Sequence, residues 1–242
     1  MSSGRIAAVV PAYDEEGAIG KVVAEIRSTG LAIDVVVVDD ASTDDTARAA
    51  RAAGATVLTL PFNVGIGGAV QTGLRYARDE GYPRAVRLDG DGQHDARELP
   101  KLLAPIELGE ADLVIGSRFV DGGGSYRPPL ARRIGIRVFA RLVSLLGGQR
   151  VTDTTSGFVA LDRRAIELFA AEYPHDYPEV EATLVALRSG LRLTQVQVEM
   201  RERETGTSSI TFVRAVYYVV KVTLSLLVAS LRRYPRVEEA GT

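Results

Sequence analysis

The sequence predicts an α/β protein in which a mostly parallel central sheet is covered by helices on both faces. Three observations carry this. Five short runs are mostly apolar, as strands buried on both faces are. Between them stand stretches whose apolar residues recur at helical spacing. Four of the runs also stop in a polar cluster rich in Asp, Gly, Ser or Thr, the usual chemistry of a turn. With 242 residues, 46% of them hydrophobic and 25% charged, the chain suffices for one or two domains with a proper core.

The elements follow in order. Arg5–Val10 reads as a buried strand ending in Pro11-Ala12-Tyr13-Asp14-Glu15-Glu16-Gly17, and Ile19, Val22, Val23 and Ile26 mark the helix after it. Asp34–Asp39 is a second strand, rich in β-branched residues; it stops at Asp40-Ala41-Ser42-Thr43-Asp44-Asp45, where Ser42 or Thr43 is placed to cap the next helix. Ala55–Leu60 is a third strand, and Asn63-Val64-Gly65-Ile66-Gly67-Gly68 opens a helix reaching about Glu80. These glycines do not have the G-x-G-x-x-G spacing of a dinucleotide site and follow the third strand instead of the first, so they read as a turn with close packing against the sheet. Ala85–Leu88 is the fourth strand, Pro100–Glu107 a helix, and Ala111–Ile115 a fifth strand ending in Gly116-Ser117-Arg118. Further on, Asp153-Thr154-Thr155-Ser156-Gly157-Phe158 precedes Val159-Ala160-Leu161 and a helix from Arg163.

Composition narrows the function. A net charge of -2 excludes a nucleic-acid binder driven by overall charge. With no cysteine, disulfides, thiol catalysis and Cys-zinc sites are excluded, and two histidines do not make a His-rich metal site. Ile6–Val10 is too short for a signal peptide, so a cytoplasmic protein is expected.

The chemistry centres on Leu88-Asp89-Gly90-Asp91-Gly92-Gln93-His94-Asp95. Two carboxylates two residues apart, each followed by glycine, present acidic oxygens on a tight loop at a strand end. Mg²⁺ and Mn²⁺ favour such oxygens, usually shared with substrate phosphates. In parallel sheets, ligands bind outside the carboxyl ends of the strands. Tyr13–Glu15, Asp39–Asp40, Asp89–Asp91 and Ser117–Arg118 all follow strand ends and are expected to line one rim.

The second half is more basic and more amphipathic. Gly122–Thr152 holds no acidic residue but carries Arg127, Arg132, Arg133, Arg137, Arg141 and Arg150. Ile134, Val138, Leu142 and Leu145 or Leu146 add an apolar stripe, a pattern that fits a helix on an anionic membrane surface and an ordinary solvated helix equally. Arg201–Ser209 is a polar loop with arginines suited to closing over phosphates, or simply a surface loop. Phe212–Leu231 is apolar, but Arg214 and Lys221 interrupt it and leave less than the roughly 20 residues a membrane span needs. Arg214, Tyr218, Lys221, Ser225 and Arg232 form one polar stripe, which indicates an interfacial helix or one packed on a partner.

Taken in order, Val10-Pro11-Ala12-Tyr13-Asp14-Glu15, Val38–Asp44, Leu88–His94, Gly116-Ser117-Arg118, Ser156-Gly157-Phe158 and Arg203–Ser208 resemble the family 2 glycosyltransferases of the GT-A fold. Within these the chain is most similar to the polyprenol-phosphate hexose synthases. The resemblance runs from about Ile6 to Ser209. It implies a transferase domain over residues 1–210, with residues 211–242 as an amphipathic helix and tail that associates with a membrane or a partner. It implies that Pro11, Tyr13, Glu15 and Asp40 hold the base and ribose of a nucleotide sugar, with Asp89 beside its diphosphate. Asp89, Asp91 and Gln93 would bind Mg²⁺ or Mn²⁺. Asp91, Arg118 and Arg203 would serve catalysis, and Arg132, Arg133 and Ser208 the acceptor phosphate. Ala41 stands where Gly or Asp is frequent in the family, and the tail lacks the pair of membrane spans found in some relatives.

The expected activity is inverting, metal-dependent transfer of a hexose from a GDP- or UDP-sugar to polyprenyl phosphate. The protein would sit peripherally on the inner face of the cell membrane, with its C-terminal helix pairing with a small membrane protein or a second copy. An anionic acceptor phosphate needs no general base. A hydroxyl acceptor does, and Asp153, Glu179 and Glu181 are the candidates, although packing or capping suits the two glutamates better. The rival readings are the same fold acting on a glycan or small-molecule hydroxyl, and a catalytically idle module that binds a nucleotide or a membrane partner.

Overall fold

The apolar runs become strands β1 (Ile6–Ala12), β2 (Ile33–Asp39), β3 (Thr56–Thr59), β4 (Arg84–Arg87), β5 (Leu113–Ser117) and β6 (Val159–Asp162), joined by β7 (Leu193–Gln197). The structure, a computed structural model, describes residues 4–120, 130–175, 177–201, 212–232 and 234; the side chains of 130–134 and 212–218 lie outside that description. The strands form one sheet in the order β3-β2-β1-β4-β6-β5-β7. Neighbours pair in parallel except at β6, which runs antiparallel to both β4 and β5. The sequence does not announce β7. Thr194, Gln195 and Gln197 interrupt its apolar pattern because it is a half-buried edge strand.

The helices are α1 (Ile19–Ser28), α2 (Thr46–Ala52), α3 (Gly65–Asp79), α4 (Leu99–Glu107), α5 (Leu130–Gly147), α6 (Arg163–Ala171), α7 (Pro178–Arg188) and α8 (Phe212–Leu231). They cover both faces, as the largely apolar central strands require. Along β1, Ala7 and Val9 pack with α3, α5, α6, α7 and α8, while Ile6, Ala8 and Val10 pack with α1 and α4. This is the two-residue period of a strand feeding two cores at once.

Three local expectations are corrected. Neither Ser42 nor Thr43 caps α2, whose N-cap is Asp45. Ser42 Oγ accepts instead from the Asp14 N–H (3.1 Å), and Thr43 donates its N–H to Asp14 Oδ1 (2.7 Å), tying the loop after β2 to the loop after β1. In α5 the fully buried residues are Ile136, Phe139, Ala140 and Val143, with Leu142 and Leu146 of the stripe read from the sequence packed beside them; Val138 and Leu145 are exposed, so that stripe is met only in part, and the Ile134 side chain lies outside the described residues. Gly67 packs against the Pro174–His175 backbone and not against the sheet. No helix among the described residues is long and apolar enough to cross a membrane.

Candidate active site

The order β2-β1-β4 makes β1 the point where the sheet reverses direction of growth, the place where open α/β sheets bind ligands. A cleft of about 330 Å³ opens there, at the carboxyl ends of β1, β2 and β4. Pro11, Tyr13, Glu15, Asp40, Asp89 and Asp91, all singled out by the sequence, line it, together with Asn63 and Ile66 at the start of α3.

Each wall is held by backbone-directed hydrogen bonds. The Glu15 N–H donates to Thr46 Oγ1 at 2.8 Å. Buried Asp40 accepts from the Val64 N–H at 2.8 Å, joining the loop after β2 to the entry of α3. Asp91 Oδ1 accepts from the Gln93 N–H at 3.1 Å, and the Gln93 amide also turns onto Asp91. Gln93 is not among the residues lining the cleft.

Asp89 is the most heavily supported of these groups. Its N–H donates to His94 Nδ1 at 3.0 Å, which places the imidazole proton on Nε2. The His94 ring stacks on Phe158, with centroids 4.9 Å apart, and burial pushes its pKa below the usual imidazole range. Gly157 lies against the Asp89 side chain, where an added Cβ would come within 2.9 Å of the carboxylate. Arg87 donates to Asp89 Oδ1 at 3.1 Å. Burial alone raises the Asp89 pKa, but the Arg87 guanidinium and the neighbouring His94 and Arg118 outweigh it and hold the carboxyl below the ordinary carboxylate range.

Arg118 follows β5, buried, with Nε 3.9 Å from Asp153 Oδ2. The Asp153 carboxylate is itself 0% exposed and accepts from the N–H and hydroxyl of Thr155, both at 3.0 Å. Glu179, in the first turn of α7, pairs with Arg87 at 2.7 Å, and Glu181 accepts from the Ser225 hydroxyl of α8. Arg203 and Ser208 lie outside the described residues, as do the side chains of Arg132 and Arg133 in α5. Ahead of Arg203 in the chain, the Arg201 N–H donates to the Gln93 carbonyl at 2.9 Å, and its guanidinium reaches Glu25 at 2.7 Å.

The sequence reading missed Arg87 and the contact between the S-G-F segment and Asp89, and it named Arg201 for closing over phosphates and not for its contacts with Gln93 and Glu25. Arg87 carried a signal: it is a charge on a strand, two residues from fully buried Ala85 and therefore on the same, core-facing side.

No cluster of three or more His, Cys, Asp or Glu side chains among the described residues encloses a metal ion. Asp89 and Asp91 instead give an open, oxygen-only half-site on a cleft wall. That donor set suits a hard divalent cation whose remaining ligands are phosphate oxygens and water.

Residues 7–169 match the family described as glycosyl transferase family 2. An undecaprenyl-phosphate mannosyltransferase of Micrococcus luteus is 34% identical over 212 residues, covering 84% of this chain and 86% of its own. A polyprenol monophosphomannose synthase of Mycolicibacterium smegmatis is 29% identical, covering 84% of this chain and 80% of its own. The glucosyl-3-phosphoglycerate synthase of Mycobacterium tuberculosis, solved with Mn²⁺, UDP and glucosyl-3-phosphoglycerate, shares the fold with a TM-score of 0.70 at 22% identity, over 98% of this chain and 82% of that one. The α/β sheet with its cleft at the strand reversal, the ordered motifs around that cleft and a family match across more than half of the sequence lead to one assignment: the chain belongs to glycosyl transferase family 2.

Proposed function

We propose that this chain transfers a hexose from a nucleotide sugar to polyprenyl phosphate at a membrane surface, with inversion at the anomeric carbon. The observation that carries the choice of acceptor is the state of the three candidate bases. Asp153 is fully buried against Arg118, Glu179 is paired with Arg87, and Glu181 is held by Ser225. Among the described residues, none of these three is placed to take a proton from a hydroxyl. A phosphate monoester needs no such group, because its nucleophilic oxygen is already anionic. The names of the two relatives, which act on undecaprenyl phosphate and make polyprenol monophosphomannose, point the same way.

In this reading Pro11, Tyr13, Glu15 and Asp40 hold the base and ribose in the cleft, and the diphosphate lies over Asp89 and Asp91. These two aspartates would hold Mg²⁺ or Mn²⁺, which, when bound, offsets negative charge on the departing nucleoside diphosphate. Arg118, with Arg203, Arg132, Arg133 and Ser208, supplies the cations and donors that keep two anionic substrates together. The lipid phosphate oxygen forms a bond to the anomeric carbon as the bond to the diphosphate oxygen breaks on the opposite face. No proton has to move. Residues 211–242 form the part that docks on the inner face of the membrane or on a partner. In support, Val220, Leu224, Leu227, Val228 and Leu231 are exposed along α8 at helical spacing.

The test is product formation from undecaprenyl phosphate and a panel of GDP- and UDP-hexoses with Mg²⁺ or Mn²⁺, read by mass spectrometry of the lipid extract. A glycosylated lipid phosphate is expected, lost with EDTA and absent in Asp91→Ala. Donor consumed only when a glycan or small-molecule hydroxyl is supplied would overturn the choice of acceptor.

A further inference from the structure

A buried guanidinium stands directly behind the first aspartate of the cleft. The Arg87 side chain is 2% exposed and is among the largest fully buried side chains described. Its Nη2 donates both to Asp89 Oδ1 (3.1 Å) and to Glu179 Oε1 (2.7 Å), and its Nη1 donates to the Tyr173 hydroxyl (3.3 Å). Burying a cation is costly unless it is paired and hydrogen-bonded, and an apolar side chain would fill this position at less cost. The arrangement has a direction. Glu179, fixed at the start of α7, and Tyr173, after α6, hold the guanidinium from the core side, and the remaining contact is to Asp89 at the cleft.

We infer that Arg87, aimed by Glu179, is a positioning residue for Asp89. It commits Oδ1 of the carboxylate to the protein and balances the charge that Asp89 presents to the cleft it lines. Gly157 is part of the same device, because a Cβ at that position would meet the guanidinium and the carboxylate, both at 2.9 Å. Glu179 sets the balance: with it, the single positive charge is shared between two anions, and without it the whole charge bears on Asp89. The inference rests on the proposed role of Asp89 and Asp91 toward a divalent cation.

Two variants test that balance, one by changing the net charge around Asp89 and one by restoring it without the pin. In Glu179→Gln the amide oxygen still accepts from Arg87, but Asp89 alone faces the cation, so its pull on a metal ion weakens. In Arg87→Met/Glu179→Gln the core is neutral and Asp89 presents its full charge, unpinned. The experiment is Mn²⁺ binding to the purified full chain, followed by the loss of the free-ion electron paramagnetic resonance signal, alone and with UDP or GDP, alongside thermal unfolding. Relative to wild type, Mn²⁺ affinity should fall by about tenfold or more in Glu179→Gln, which loses a unit of negative charge within a few ångströms of Asp89, and should return to the wild-type level or above in the double variant, whose local net charge equals that of the wild type. Product formation should be highest in the wild type. Affinities that fall in both variants in step with melting temperature, or an affinity that does not change in Glu179→Gln, would assign Arg87 a packing role and overturn the inference alone. Failure of the wild type to bind Mn²⁺ with either nucleotide would instead overturn the reading of the two aspartates, and the inference with it.

Discussion

Ala41 shows what a single backbone angle costs. It has φ +60°, in the left-handed region, in the loop where the Ser42 N–H donates to Asp39 Oδ1 at 3.1 Å and Asp40 turns toward the cleft. An L-residue there carries about 1–2 kcal/mol of strain. Ala41→Gly removes that strain but adds roughly 0.5–1 kcal/mol of chain entropy to lose on folding. The expected outcome is a net stabilisation of about 0.5–1 kcal/mol, measured by urea unfolding. The same angle gives a physical reason for the Gly or Asp that the family resemblance implies at this position. Asp14 is similar, with φ +51° and its carboxylate hooked to Thr43. The sequence placed Asp14 in the right loop, but the hook itself spans 29 residues and leaves no local pattern to read.

At the scale of elements, period and composition were enough for most of the molecule. β1, β2, β4 and β5 are buried strands, and α1 buries Ile19, Val22, Val23 and Ile26, the residues its spacing names. What periodicity does not contain is which side of a helix meets a partner when both sides are apolar. This is why α5 packs through Ile136, Phe139 and Val143 while Val138 and Leu145 face outward. Nor does it contain close approaches between elements. The start of α3 passes so near the chain between α6 and α7 that a Cβ on Gly67 would lie 2.8 Å from His175 Cα and closer still to the Pro174 carbonyl. Both obstacles are backbone and cannot swing away. Gly67→Ala is therefore expected to destabilise by about 1–3 kcal/mol, the range for forcing extra volume into a packed contact. Denaturant unfolding would measure the loss.

For the molecule as a whole, a cluster far from the cleft sets part of the response to pH. Buried Asp112 is held by Arg192 (2.6 Å) and Arg164 (3.2 Å), and Asp162 lies beside it, accepting from the Ala165 N–H at the start of α6 (2.8 Å). Burial and the Asp112 carboxylate raise the Asp162 pKa to about 6. A carboxyl raised above its unfolded value of 3.8 favours the folded state while protonated, so this contribution is present at low pH and is lost as pH climbs through about 6. Asp162→Asn keeps the capping oxygen and resembles the protonated acid. Its stability should match wild type near pH 4 and exceed it by on the order of 1–2 kcal/mol above pH 7. Melting temperatures of both proteins across that range would check the sign. The antiparallel course of β6 reaches further than the site it completes. Because it runs against β4, it begins where the parallel strands end, and so brings Gly157 and Phe158 to Asp89. During synthesis β4 therefore waits for β6, and until then its Ala85-Val86-Arg87 edge carries unsatisfied backbone groups open to any other nascent strand. The charge that later braces the aspartate stands at one end of that strand and Arg84 at the other, the flanking position from which charges disfavour pairing with a foreign strand.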